Sequence, residues 1–372
     1  MASTSVLSGL DLTKWQRSFW REFVRDTGFA PYMGNSPMDI IHTMTDLKTD
    51  GYTLRIPLVA RLQGSGVSGN TALSGQEEQL DQYYQDIVWE FYRNAVTISK
   101  KEKKKSAVDM LEAVRPLLKE WASEVVKYQL IDSFHKMSDG TKFSAAAAGT
   151  RNTFATNNVD RILFGVTQSN YSATHATGLG NVDSTNDLLS PTMASLAKFM
   201  AKTANPHIRP FKTGTSGREY YVMFCHPICF RDLKTNTVMV NANRDARSRE
   251  GNGMDNNPLF QDGDITYDGI IFREIPEFYT ARQGSSTNNE THLLSAGAGS
   301  INVGANFLCG AQAIGMVNKQ APLPTSKSED DYGFVDGMGI ELAHGIEKIR
   351  WNNGSGLNKD LGIVTVYASA AA

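Results

Sequence analysis

Apolar and polar positions change period along the chain, and each change marks an element. In residues 11–25, Leu12, Trp15, Phe19 and Phe23 recur at three- and four-residue spacing, which puts them on one helical face. Lys14, Arg17, Arg21 and Arg25 form a second stripe on roughly the opposite face. Asp11 or Thr13 caps the start, and Gly28 with Pro31 closes the helix. Residues 52–62 (YTLRIPLVARL) are rich in strand formers, and Pro57 points to an edge position. Strand formers return over residues 80–98, with Ile87, Trp89 and Phe91 alternating. Between them lies Gly64-Ser-Gly66-Val-Ser-Gly69, so the two runs predict a long hairpin-like extension with a flexible glycine tip. Such a projection needs a partner surface to be stable.

The strongest helical period covers residues 106–137, where Val108, Leu111, Val114, Leu118, Trp121, Val125, Tyr128 and Ile131 recur every three or four positions. A continuous helix of that length spans about 45 Å, and Pro116 is expected to kink it or remove one hydrogen bond. The run KKEKKK at 100–105 reads as a solvated lead-in, with phosphate contact as the alternative; no aromatic interleaves with its lysines to stack bases.

Residues 138–190 are polar and rich in small side chains, which predicts extended or loop structure around a short apolar segment at 159–164. Ser190-Pro191 opens a helix with a cap and a first-turn proline, lined by Met193, Leu196 and Met200. EYYVMFC at 219–225 is a buried-type strand leading through His226-Pro227 into a short helix, and 244–249 reads as a short charged helix. Residues 254–264 are turn-rich, and YDGIIFREI at 267–275 reads as one strand. Segments 299–317 and 339–349 are strand or helix, and LGIVTVY at 361–367 is a closing strand. Strands mixed with helices, without an internal repeat, make the body α+β or mixed α/β.

Composition narrows the function classes. At 372 residues the length predicts two or three folding units, and 41% hydrophobic residues supply a core. The 37 basic residues against 39 acidic ones give a net charge of −2, which excludes a chain of strongly basic, nucleic-acid-binding character. Three cysteines, Cys225, Cys229 and Cys309, argue against a disulfide framework and for a reducing compartment. No apolar run long enough for a membrane span or signal core is present, so a soluble, intracellular product is expected.

Candidate chemistry is thin. Gly64-x-Gly66-x-x-Gly69 matches the dinucleotide fingerprint, but the polar segment after it lacks the apolar helix that fingerprint requires. Cys225-His226-x-x-Cys229 offers three soft ligands where a closed zinc site needs four, and Cys309 would have to come from a distant segment. Asp262, Asp264 and Asp268 resemble a calcium loop, but Tyr267 stands where an EF-hand needs glycine and Arg273 where it needs glutamate. His344-x-x-Glu347 reads as a helix-surface pair or a turn. No catalytic, cofactor-binding or metal-binding residue is assigned.

The ordered set of segments resembles a known family. It comprises 50–58 (DGYTLRIPL), 62–70 (LQGSGVSGN), 75–80 (GQEEQL), 221–227 (YVMFCHP), Ala246-Arg247, 257–260 (NPLF), 267–275, 309–313 (CGAQA), 331–333 (DYG) and 360–366 (DLGIVTV). In this order, over most of residues 40–367, they are similar to the major capsid proteins typified by N4-like tailed phages. That resemblance implies an α+β Hong Kong 97-type fold. Residues 1–51 would be an N-terminal arm, and 52–104 an extended β-hairpin, the E-loop. Residues 105–220 would be a P-domain with its spine helix, 221–350 A-domain and P-domain segments, and 351–372 a C-terminal strand and tail.

The implied function is a structural subunit, not an enzyme, that self-assembles into the icosahedral shell of a double-stranded DNA phage. The implied partners are the chain itself in hexamers and pentamers, portal and scaffolding proteins, and packaged DNA held without sequence-specific contacts; no cofactor and no membrane are involved. The implied location is the virion, after assembly in the host cytoplasm. Trp15, Phe19, Phe23, Gly64, Gly66, Gly69 and Trp89 are the candidate inter-subunit contacts. The alternatives are a nucleotide-binding enzyme using the 64–69 loop, and a virion decoration protein.

Overall fold

Three runs with few polar side chains, EYYVMFC, VGANFLC and IVTVYAS, form adjacent strands of one sheet, Glu219–Cys225, Val303–Cys309 and Ile363–Ser369. Successive side chains of a strand point to opposite faces, so a strand covered on both sides must be apolar throughout. Phe224, Phe307 and Tyr367 enter one buried cluster, while Met223, Leu308 and Val366 enter another. The Pro191–Thr203 and Pro227–Thr235 helices supply side chains to the second cluster, and Leu130, Ile131 and Phe134 supply the first.

The computed structural model describes residues 28–44, 53–59, 62, 64–70, 72–78, 82–105, 110–212, 219–242, 260–261, 264–282, 287–330, 334–352 and 358–371. They divide into two compact units. The described part of the smaller is 91–105, 110–125, 320–330 and 334–343, and the larger holds the rest. The boundary falls within continuous elements: the helix Met110–Phe134 and the strands Ile314–Asp330 and Val335–Lys348 each contribute residues to both units.

Among the described residues, the larger unit's sheet follows the order Ile162–Phe164, Ile363–Ser369, Val303–Cys309, Glu219–Cys225, Ile270–Glu274, Asp264–Tyr267, Phe260–Gln261. Its pairings are mixed: Glu219–Cys225 runs parallel to Ile270–Glu274 and antiparallel to Val303–Cys309. Short strands His292–Leu293 and Phe211–Lys212 pair at its margins. The larger unit also holds the antiparallel hairpin Thr53–Val59/Gln82–Val88, with Thr53 opposite Val88 and Val59 opposite Gln82.

Several expectations are corrected. The long helix ends at Phe134, not at Met137, and its described run begins at Met110, so it spans about 37 Å. It continues through Pro116, where the missing N–H forfeits a single intrahelical bond without ending the element. Residues 138–190 are not loop alone: Ala148–Asn157 and His175–Gly180 are helical. The first carries Phe154 as its one large apolar side chain, which leaves no stripe for periodicity to register. YDGIIFREI is not one strand, because Asp268 and Gly269 take positive φ (49° and 70°) and turn a tight hairpin between Asp264–Tyr267 and Ile270–Glu274. His344 and Glu347 lie on the strand Val335–Lys348, not on a helix or turn. The Ser190 cap forms as expected, its hydroxyl accepting from the Met193 N–H at 3.3 Å. The 11–25 helix and the 244–249 segment lie outside the described residues.

Candidate functional site

The hairpin sorts its side chains by face. Leu54 opposite Ile87, Ile56 opposite Gln85 and Leu58 opposite Tyr83 form the inward face, joining Val317 and Ile349 in a small cluster or anchoring the ribbon by hydrogen bonds. The Gln85 amide donates to the Lys348 carbonyl at 2.8 Å and its oxygen accepts from the Arg350 N–H at 2.6 Å, fixing the ribbon to the larger unit. The outward face carries Arg55 opposite Asp86, a two-pronged ion pair at 2.8 and 2.9 Å with the guanidinium 3.9 Å from the Tyr84 ring centre. That hydrogen-bonded pairing holds the Asp86 carboxyl below its usual range. Val59, Tyr84 and Val88 are exposed on this same face.

Beyond the ribbon, the loop is open. Gly66 and Gly69 have φ of 71° and 70°, and a Cβ at either would meet nothing within 4 Å. Left-handed backbone, and not crowding, is therefore what requires glycine there. The polar segment that follows forms no helix in its described residues, so the dinucleotide fingerprint lacks its supporting element. The loop is tied instead by its own carboxylates: Glu78 accepts from the Gly64 N–H and Glu77 from the Gly75 N–H, both at 2.7 Å. Its apolar side chains face solvent, with Leu62 62% and Leu73 60% exposed.

Of the expected contact residues, Gly64, Gly66 and Gly69 lie on this loop. Trp89 sits beyond the ribbon's end, half-buried against the Ile87–Val317–Ile349 cluster with the Lys319 ammonium 6.0 Å from its ring centre. Trp15, Phe19 and Phe23 lie outside the described residues. Sequence reasoning passed over Leu62, Leu73 and Tyr84. For Tyr84 the signal was available, since strict alternation leaves one face of the ribbon outward. Leu62 and Leu73 lie on the loop, outside both strands, where alternation says nothing.

Many polar groups of the interior bond one another, although among the described residues His175 Nδ1, His226 Nδ1 and Asp360 Oδ1 have no hydrogen-bond partner. His135 and His175 both bond the Tyr367 hydroxyl through Nε2, at 2.7 and 2.9 Å. Burial pushes His135 well below the ordinary imidazole range and His175 down to about 4, which keeps both neutral. His226 stacks on His292, Nε2 to Nδ1 at 3.1 Å, and burial lowers it to about 3. The three thiols each donate to a separate carbonyl, of Met223, Ser369 and Phe307. Burial pushes Cys229 up to about 12, so it carries no thiolate for metal or nucleophilic work near neutrality. Lys348 and Asp360 form an ion pair at 2.8 Å with side chains 0% and 2% exposed, and Arg161 caps it by donating to the Asp360 and Leu361 carbonyls. Asp268, from the calcium-like stretch, pairs with Lys198 at 3.0 Å.

The exposed outer face of the ribbon, with Val59, Tyr84 and Val88, is a feature of the larger unit that is open to a partner. The sequence matches the family model described as phage capsid protein over residues 3–372. The chain belongs to the phage capsid protein family. A curated capsid relative, the major capsid protein of Pseudomonas phage KPP25, is 26% identical over 375 residues, covering 96% of this chain and 95% of the relative. The cyanophage Pam1 capsid asymmetric unit is similar at 33% identity with a TM-score of 0.87, over 100% of both chains. The capsid of Ralstonia phage GP4 shares the fold at 19% identity and a TM-score of 0.71, over 100% of this chain and 99% of the other. The capsid protein has the α+β Hong Kong 97-type fold, and its role is that of a phage major capsid protein, a structural component of the virion.

Proposed function

We propose that this capsid protein builds an icosahedral shell of hexamers and pentamers around double-stranded DNA, in the manner of the N4-like group, and assembles in the host cytoplasm. The role is structural and involves no catalytic step. Residues 1–51 act as the arm, 52–104 as the E-loop, and 105–220, 221–350 and 351–372 as the P-domain, the A-domain with further P-domain segments, and the closing strand and tail. Portal and scaffolding proteins are its assembly partners, and the net charge of −2 suits a wall that holds DNA without gripping it. Trp15, Phe19 and Phe23, the loop glycines Gly64, Gly66 and Gly69, and Trp89 are the inter-subunit contacts of this reading.

The observation that carries it is the hairpin. A two-stranded ribbon is marginal by itself, and this one turns Val59, Leu62, Leu73, Tyr84 and Val88 outward. Among the described residues those side chains stay exposed, and on this reading another chain covers them. Negative-stain microscopy of the purified protein, with its scaffolding partner present, should show shells or capsomers. A chain that stays monomeric under every condition and never enters virions would overturn the reading. Copy number separates a shell builder from a decoration protein, because the builder dominates virion protein mass.

A further inference from the structure

In the larger unit the Tyr367 hydroxyl is shared by two imidazoles, and the groups around it fix where each hydrogen lies. His135 Nδ1 bonds the Glu290 main-chain carbonyl. A carbonyl only accepts, so neutral His135 carries its hydrogen on Nδ1 and its Nε2 is a bare acceptor. Tyr367 therefore donates its hydroxyl hydrogen to His135 Nε2, at 2.7 Å. The hydroxyl oxygen is left to accept, so the hydrogen of the second bond, at 2.9 Å, comes from His175 Nε2. That leaves a bare lone pair on His175 Nδ1, a buried atom with no hydrogen-bond partner among the described residues. The bonds run one way, from His175 through Tyr367 and His135 to the Glu290 carbonyl, and they begin at an open acceptor.

This chain of bonds ties together segments far apart in sequence. His135 follows the long helix, His175 opens the helix His175–Gly180, Tyr367 stands on the closing strand, and Glu290 comes just before His292–Leu293. Arg151, on the helix Ala148–Asn157, is the charge that acts on His175, and it repels a proton there. Arg151 and Lys348 act in the same sense on His135, and Asp360 and Arg151 act on Tyr367. Lys348 and Asp360 are paired with each other, and the Glu290 carboxylate accepts from the Ser144 N–H and hydroxyl. A proton reaching His175 enters at Nδ1, because Nε2 already carries one. It creates a buried N–H without an acceptor beside a cation, a cost that water removes once the ring swings out. The helix that carries His175 has six residues, against the 12–15 or so an isolated helix needs, so little holds it once this contact is lost. His135 is held more firmly, with the Phe143 ring stacked on it at 4.4 Å. We propose that His175 is an acid-release catch: protonation at Nδ1 detaches the helix His175–Gly180 from Tyr367 while the central sheet stays folded.

Hydrogen–deuterium exchange of the full unassembled chain, read by mass spectrometry and corrected for intrinsic rates, tests this. The Gly178, Asn181 and Val182 amides, bonded to the Thr174, Thr177 and Leu179 carbonyls, report on the helix, and the strand Glu219–Cys225 reports on the sheet. His175 titrates at about 4 when closed and regains 6.5 when open, so each pH unit below 6.5 favours opening up to about tenfold. The expected result is exchange in 175–182 that quickens by about that factor per unit between pH 6 and 4.5, with 219–225 still protected. Unchanged exchange in 175–182, or the same quickening in both segments, overturns the proposal. His175→Gln, whose amide donates to Tyr367 but does not titrate, should keep 175–182 at its pH 7 rate throughout; a wild-type pH curve from that variant also overturns it. If that variant fails to fold, the wild-type comparison of the two segments decides alone. Imidazole nitrogen resonances at pH 7 read the bonds themselves: hydrogen on Nδ1 of His135 and on Nε2 of His175 is expected, and one tautomer for both rings overturns the proposal.

Discussion

The central sheet and the hairpin are built from the same residue types and differ in how far the described residues of their own chain cover them. Phe224 in the sheet packs against Phe29, Tyr32 and Phe134 with ring centres 4.9 to 5.4 Å apart, all within one chain. Tyr84 in the hairpin has an arginine over one face and solvent over much of the rest. A substitution in the sheet is therefore felt by the isolated chain, while one on the hairpin's outer face is expected, on the proposed reading, to be felt by the assembly. The largest effect expected is that of Phe224→Ala, which removes the shared member of that aromatic group. It should destabilise the unassembled chain by about 3–5 kcal/mol, read from denaturant unfolding. A loss below about 1 kcal/mol would show that the sheet tolerates repacking as a surface does.

The same contrast extends to acid. His135, His175, His226 and His344 are buried neutral in the larger unit, each lowered chiefly by desolvation. A histidine with a folded pKa below its unfolded value of 6.5 binds fewer protons in the folded state. Its contribution is complete above that value and is lost as the pH falls toward about 4 for His175 and His344 and about 3 for His226. For His175 alone the shift corresponds to about 3 kcal/mol. The melting temperature of the unassembled chain should therefore fall steadily from about pH 6.5 to pH 4. An unchanged melting temperature over that interval would mean these histidines reach solvent when protonated.

The two regions were also unequally legible in the sequence. Strands covered on both faces announce themselves as apolar runs, so 219–225 and 361–367 were located within two residues of Glu219–Cys225 and Ile363–Ser369. The hairpin followed from two strand-rich runs around glycines, whereas its register, with Thr53 opposite Val88, came only from the fold. Helices whose stability comes from small residues and tertiary packing left no trace, as at Ala148–Asn157. A groove of about 510 Å³ in the smaller unit was invisible, because Leu118, Pro322 and Met338 lie far apart in sequence and only the fold brings them to one cavity. The family was readable from the order of individually weak motifs, whereas which side chains meet a neighbour depends on exposure, a property no single sequence displays.

Gly66 probes a smaller effect. Its φ of 71° lies in left-handed space, with nothing within 4 Å of an added Cβ, so Gly66→Ala meets backbone strain without a clash. That strain is about 1–2 kcal/mol, and the loop can relax part of it away. The isolated chain should melt within a degree or two of wild type, since the loop adds little to either buried cluster. Gly345 is the control on the body side: a Cβ there would run into the Val88 carbonyl oxygen, and Gly345→Ala should be far more disruptive. Equal melting temperatures for the two variants would erase the distinction between loop and ribbon base.

The smallest effect on folding belongs to Leu62→Ser combined with Leu73→Ser. Both side chains are more than half exposed, at 62% and 60%, so the folded chain gives up little burial when they are replaced. Unfolding free energy should stay within about 0.5 kcal/mol of wild type. On the proposed reading a neighbour covers the same leucines in the shell, and each fully buried leucine then contributes about 1.5–3 kcal/mol per subunit. Sedimentation of assembly reactions should then show the variant mostly as unassembled chain at a concentration where wild type is mostly shell. Normal assembly would mean that these leucines stay wet in the shell, leaving the ribbon's outer face, Val59, Tyr84 and Val88, as the part of the hairpin that a neighbour covers.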